Sequence, residues 1–128
     1  IEKAKIRLNN YLEHVTFHIS TFQDLQKKMD TLSPVDAVVS SFALHHLYRE
    51  EKLALLTYIR SILKPHGWFV NCDVFKTSDA SELSDKEKKD GDNLLLLMDD
   101  LQLIAEAGFR TAECFWKEYR EAVYGGIK

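Results

Sequence analysis

Residues 35–75 read VDAVVSSFALHHLYREEKLALLTYIRSILKPHGWFVNCDVF. Val35 to Ser41 is a short, nearly continuous apolar run that ends in two serines, the pattern of a strand buried on both faces. Leu55, Leu56, Ile59, Ile62 and Leu63 recur at i, i+1, i+4, i+7 and i+8, which predicts a helix over about Arg49–Leu63 with one apolar stripe. Glu50 and Glu51 fall in its first turn and Lys64 at its end, as the helix dipole favours. Pro65 and Gly67 stop it. Trp68 to Phe75 reads as the next strand. Strand, helix, strand argues for a parallel sheet wrapped by helices. FALHHL stands where the first strand gives way to the helix, the end of a doubly wound sheet at which ligands collect.

Working outward, IEKAKIRLNNYLEH places Ala4, Leu8, Tyr11 and Leu12 on one helical face with no N-cap residue ahead of them. The sequence has no initiator Met and is expected to begin inside a helix, as a fragment or processed piece. VTFHI, Val15 to Ile19, alternates and is β-branched, so a strand is expected there. Ser20 to Pro34 reads as a loop with a helical turn. Thr77 to Asn93, TSDASELSDKEKKDGDN, is polar and charged and reads as a long surface loop. Leu94, Leu97, Leu101, Ile104 and Ala105 stripe another helix, with Gly108 placed for its C-terminal cap. Phe109–Trp116 and Glu121–Lys128 follow as two strands without a helix between them. That order suggests a hairpin and one antiparallel strand in an otherwise parallel sheet.

The bulk numbers suit one small domain. The 128 residues are 45% hydrophobic and 29% charged, with a formal net charge of -3. Acids and bases are interspersed, so there is no electrostatic case for nucleic acid or an anionic membrane as partner. Cys72 and Cys114 are too few for a disulfide framework and read as reduced core thiols of a cytoplasmic protein. The longest run of large apolar side chains, Leu94–Met98, is too short to span a bilayer.

Four motifs together resemble the class I S-adenosylmethionine-dependent methyltransferases: the strand start Asp36–Val38, LHHL at Leu44–Leu47, LKPHG at Leu63–Gly67, and the EAGF turn at Glu106–Phe109. The resemblance covers Ile1 to Lys128 as the second half of the family's domain. It implies an α/β, Rossmann-like methyltransferase sheet, mostly parallel with one antiparallel strand and lacking the first two strands. The chain would be a single partial domain, 1–128, starting in the helix before the third strand. In the family order 3-2-1-4-5-7-6 that third strand would have no neighbour here, and the edge of the fourth would be bare. The family's glycine-rich motif is not in this sequence, and His66 replaces the usual first glycine of KPGG.

The implied function is methyl transfer from S-adenosylmethionine to a small-molecule acceptor. The alternative is a non-catalytic methyltransferase-like fragment or partner subunit unable to bind cofactor alone. By the resemblance, Thr21 stands where the family carries an adenine-binding acid, with Phe22 beside the ring. Ser40, Ser41 and Phe42 pass beneath the cofactor, and His46 faces the substrate. An imidazole titrates near neutral pH and suits proton abstraction. His45 is expected to point elsewhere, because neighbours on an extended segment face opposite ways. Asp73 and Phe75, ending the next strand, would orient the substrate, and the Thr77–Asn93 loop would lie over the mouth. The plainer alternatives are Thr21 as a helix cap, Phe22 as core, His46 as a packed histidine and Asp73 as a cap or solvated acid. No metal is expected: His45, His46, Cys72 and Asp73 match no familiar ligand spacing. A serine hydrolase is excluded, since Ser40 and Ser41 lack the G-x-S-x-G elbow.

Overall fold

A computed structural model describes residues 1–29, 34–77 and 92–128. The chain packs as two compact units, Ile1–Asp30 and Thr31–Lys128.

In the first unit, α1 (Glu2–Arg7) runs into a 3₁₀ turn over Asn9–His14, and α2 covers Phe22–Met29. Thr21 caps α2: Asp24 donates its backbone N–H to Thr21 Oγ1 at 3.2 Å, satisfying an N–H that the helix itself leaves unpaired. The helix is longer than the single turn expected there. Val15 is extended (φ -123°, ψ 126°), yet residues 15–20 form no strand. Strand propensity takes effect only through a paired neighbour, and none pairs with this segment among the described residues.

The second unit holds β1 (Val35–Ser41), α3 (Arg49–Ile62), β2 (Leu63–Val74), α4 (Leu97–Glu106), β3 (Glu113–Glu118) and β4 (Glu121–Ile127). The sheet order is β1-β2-β4-β3. Among the described residues, only β1 and β2 pair parallel. β4 lies between β2 and β3 and runs against both. Two of the three pairings are therefore antiparallel, and the expected mostly parallel sheet is corrected to a mostly antiparallel one with one parallel pair. The cause is the insertion of the hairpin's second strand next to β2. A two-residue connection, Tyr119–Arg120, closes that hairpin. Tyr119 takes φ 46°, the left-handed value that so short a turn demands at its first position.

Alternation sets the core. Phe69, Asn71 and Asp73 on β2 and Ala122 and Tyr124 on β4 are buried. α3 packs on β2, α4 on β4, and the two helices on each other. Leu55, Leu56, Ile59, Leu103 and Ile104 are buried in these contacts; each such side chain contributes about 1.5–3 kcal/mol. The Glu51 carboxylate accepts the Tyr48 N–H at the start of α3, and Lys128 Nζ donates to the Ser61 carbonyl near its end at 3.1 Å. Gly108, at φ 88°, ends α4, with Phe109 N–H bonded back to the Ile104 carbonyl.

β1 is not buried on both faces as its apolar run suggests. Among the described residues it has one neighbour, β2, and Val39 is 74% exposed. Cys114 is also exposed, so it is not a core thiol. No helix among the described residues is long and apolar enough to cross a membrane.

Candidate functional site

β1 and β2 are parallel, so their carboxyl ends point the same way, and the chain leaves both toward one rim. Phe42 leaves β1 with its N–H on the Cys72 carbonyl at 2.8 Å and φ 47°. That left-handed residue is costly for a bulky side chain and turns the backbone out of the sheet. Leu44–His46 then makes one 3₁₀ turn, and α3 follows.

Asp73 on β2 holds this turn. It is 1% exposed. Its Oδ2 accepts the Leu44 and His45 N–H groups at 3.0 and 3.2 Å and the Asn71 amide at 3.3 Å. Oδ1 accepts the Val74 N–H at 2.9 Å and lies 2.5 Å from His45 Nδ1. A buried carboxylate is tolerated only with such compensation. The bond fixes His45 with Nε2 facing away from Asp73.

His46 is beside its neighbour, not opposite it. The two rings are 3.9 Å apart. Successive residues of a 3₁₀ turn are rotated by about 120° rather than the half-turn of a strand, and this corrects the expectation that His45 points elsewhere. Asp92 closes the group. Its Oδ1 lies 3.1 Å from His46 Nδ1 and 3.7 Å from His45 Nε2. Asn93 secures this end to the turn, donating its N–H to the His45 carbonyl at 2.7 Å and its amide to the His46 carbonyl at 2.9 Å. The His46 side chain is 52% exposed and gives the group its opening to solvent.

Behind the site runs a buried polar chain. The Asn71 amide also donates to Tyr124 Oη at 2.9 Å. Tyr124 neighbours Asp100, and Lys52 Nζ donates to Asp100 Oδ1 at 3.1 Å. Burial pushes the Asp100 carboxyl above its ordinary range, against the pull of the Lys52 ammonium. Burial, and then the Asp100 charge, push the Tyr124 phenol far up. The groups link α3, α4, β4 and β2 to the histidine turn.

The other expected residues fall as follows. Ser40 is half-buried and Ser41 and Phe42 exposed at the end of β1. Phe75 is buried under the Lys117 ammonium, 5.2 Å from its ring centre. Thr21 and Phe22 belong to the Ile1–Asp30 unit; Thr21 Oγ1 bonds Asp24. Residues 78–91 of the Thr77–Asn93 loop lie outside the described residues. A hollow of about 440 Å³ sits at the same end of the sheet, lined by Val74 and the 118–121 turn. Asn71 was open to sequence reading, because it shares the buried face of β2 with Asp73. Asp92 gave no such signal; nothing in its spacing ties it to residues 45–46.

Residues 1–71 match the family model described as Methyltransferase domain. An uncharacterized methyltransferase of Alkaliphilus oremlandii is 36% identical over 67 residues, 52% of this chain and 31% of that protein. One of Oceanobacillus iheyensis is 38% identical over 50 residues, 38% of this chain and 24% of that protein. The chain thus matches about a third or less of the length of these curated relatives. Among solved structures, PigF with SAH superposes with a TM-score of 0.74 at 17% identity, over 98% of this chain and 39% of that one. Human N-acetylserotonin methyltransferase in complex with SAM gives 0.67 at 17% identity, over 91% and 34%. At such identities the structures speak for the fold. With a family model spanning more than half of the sequence and the α/β, Rossmann-like sheet that the superpositions share, the chain belongs to the methyltransferase domain family.

Proposed function

We propose that this chain forms the acceptor-side half of a S-adenosylmethionine-dependent methyltransferase that acts on a small molecule. The observation that carries this reading is the histidine turn at the carboxyl end of β1, in a chain of the methyltransferase domain family. Methyl transfer asks a protein chiefly for placement: the acceptor atom must approach the sulfonium methyl in line at about 3–3.5 Å. Ser40, Ser41 and Phe42 supply the floor of that site through the backbone that leaves β1. The SAM and SAH of the solved relatives support the cofactor assignment.

His46 takes the acceptor's proton, leaving a nucleophile for the methyl. It is the imidazole of the pair that solvent reaches, with Asp92 Oδ1 3.1 Å from its Nδ1. His45 and Asp73 are positioning residues: they set the turn that presents His46. Phe75, buried beneath the hairpin, shapes the wall. The test is methyl transfer by the natural full-length protein. His46→Ala should lower kcat by about 100-fold or more and leave S-adenosylmethionine affinity unchanged. Unchanged kcat removes His46 from the chemistry.

Val39 supports a second reading. An edge strand with an exposed valine suits a methyltransferase-like piece that acts as a partner subunit. A full-length protein that binds no S-adenosylhomocysteine favours that reading.

A further inference from the structure

His45, His46 and Asp92 each offer one ligand atom, and these atoms all lie within 4.8 Å of one another. We propose that they form a binding site for a divalent first-row transition ion such as zinc, held by His45 Nε2, His46 Nδ1 and the Asp92 carboxylate. Sequence spacing argues against a metal here because adjacent ligands diverge on an extended chain. The 3₁₀ turn removes that objection by bringing the two imidazoles side by side.

The distances suit an ion. Ligands about 2.1 Å from a tetrahedral zinc are roughly 3.4 Å from each other. Asp92 Oδ1 stands 3.1 Å from His46 Nδ1 and 3.7 Å from His45 Nε2, on either side of that value. Asp92 Oδ1 is also buried and accepts no hydrogen bond of proper geometry, so a carboxylate oxygen faces two imidazole nitrogens without a proton well placed between them. A cation satisfies it.

The supporting contacts are those of a metal centre. A ligating histidine commonly gives its other ring nitrogen to a carboxylate, which fixes its tautomer and orientation. Asp73 Oδ1, 2.5 Å from His45 Nδ1, is that carboxylate, and it is buried and held by backbone N–H groups. The two Asn93 bonds to the histidine carbonyls tie residue 92 to the same turn. Three protein ligands and an opening beside His46 leave a fourth position for water or a small ligand. Two imidazoles with one carboxylate suit zinc, iron or cobalt rather than magnesium or calcium, which prefer all-oxygen sites. A bound ion occupies His46 Nδ1 and places the ring's proton on Nε2, so metal occupancy and proton abstraction by His46 exclude each other. The metal-bound and proton-abstracting forms of His46 are therefore alternative states of one residue, and the binding titration tests the first without reference to methyl transfer.

The test is titration of this chain with Zn²⁺ by calorimetry, and with Co²⁺ followed by visible absorption. One ion per chain is expected, with affinity lowered at least about tenfold in His46→Ala and in Asp92→Ala. His14→Ala and His18→Ala, at histidines outside the cluster, should bind as the parent does. Circular dichroism shows whether each variant remains folded. His46 is half exposed, so His46→Ala decides the outcome even where Asp92→Ala unfolds. No uptake at micromolar Zn²⁺, or uptake unchanged by His46→Ala, overturns the proposal.

Discussion

His45 Nδ1 lies 2.5 Å from Asp73 Oδ1, and the same carboxylate accepts the backbone N–H groups of Leu44 and His45. One side chain of β2 thus fixes both the backbone and the ring of the turn that leaves β1. Asp73 therefore positions the turn.

Replacing Asp73 by Ala strands several buried donors at once. Each costs about 1–3 kcal/mol when left unpaired, so a loss of at least roughly 3 kcal/mol is expected in urea unfolding. A loss below about 1 kcal/mol would show that the turn is held by something else.

The Lys52–Asp100 pair joins α3 to α4 in the core, with the side chains only 3% and 5% exposed. Removing one partner leaves a buried charge and costs about 3–5 kcal/mol. Lys52→Met should therefore destabilise the fold strongly, and Lys52→Met with Asp100→Leu should recover more than about half of the loss. Additive losses in this double-mutant cycle would contradict the coupling.

Tyr124 makes stability depend on alkaline pH. Its phenol is raised in the fold, while the unfolded phenol ionises near pH 10. Above that value the folded state holds the extra proton. Stability is fully present below it and falls as pH rises, by at most about 1.4 kcal/mol per pH unit. Urea midpoints between pH 9 and 11 should fall more steeply for the parent than for Tyr124→Phe. Equal slopes would remove Tyr124 as the source.

His66 carries φ 64° at a position where the resembling family uses glycine. A left-handed residue with a Cβ costs about 1–2 kcal/mol, partly offset by glycine's greater entropy when unfolded. His66→Gly should raise stability by about 0.5–1 kcal/mol in thermal or urea unfolding. A loss of stability would mean that the His66 side chain contributes more than its backbone costs.

The sequence makes plain whatever repeats along one element. The stripe from Leu55 to Ile62 marks α3, and the run from Trp68 to Phe75 marks much of β2. Val15–Ile19 has a strand's composition but no partner strand among the described residues, so pattern alone overstates it. Val35–Ser41 is apolar enough for a central strand, yet neighbours decide burial, and β1 has one. The hairpin was legible, but the placement of its second strand, β4, between β2 and β3 decides the sheet's pairing, and no local pattern encodes that. For the site, Ser40–His46 could be placed at a strand end by reading alone. The facing of His45 and His46 depends on a 3₁₀ turn that Asp73 enforces from 27 residues or more away. Asp92 is held beside them by its neighbour Asn93, whose bonds to the turn cross 47 residues or more in sequence.

The most direct measurement is calorimetric titration of S-adenosylhomocysteine into the natural full-length protein that carries this chain. The account predicts binding at one site per protein, with the cofactor crevice bordered by Ser40–His46. Absence of binding at millimolar ligand, with the protein folded, would contradict it.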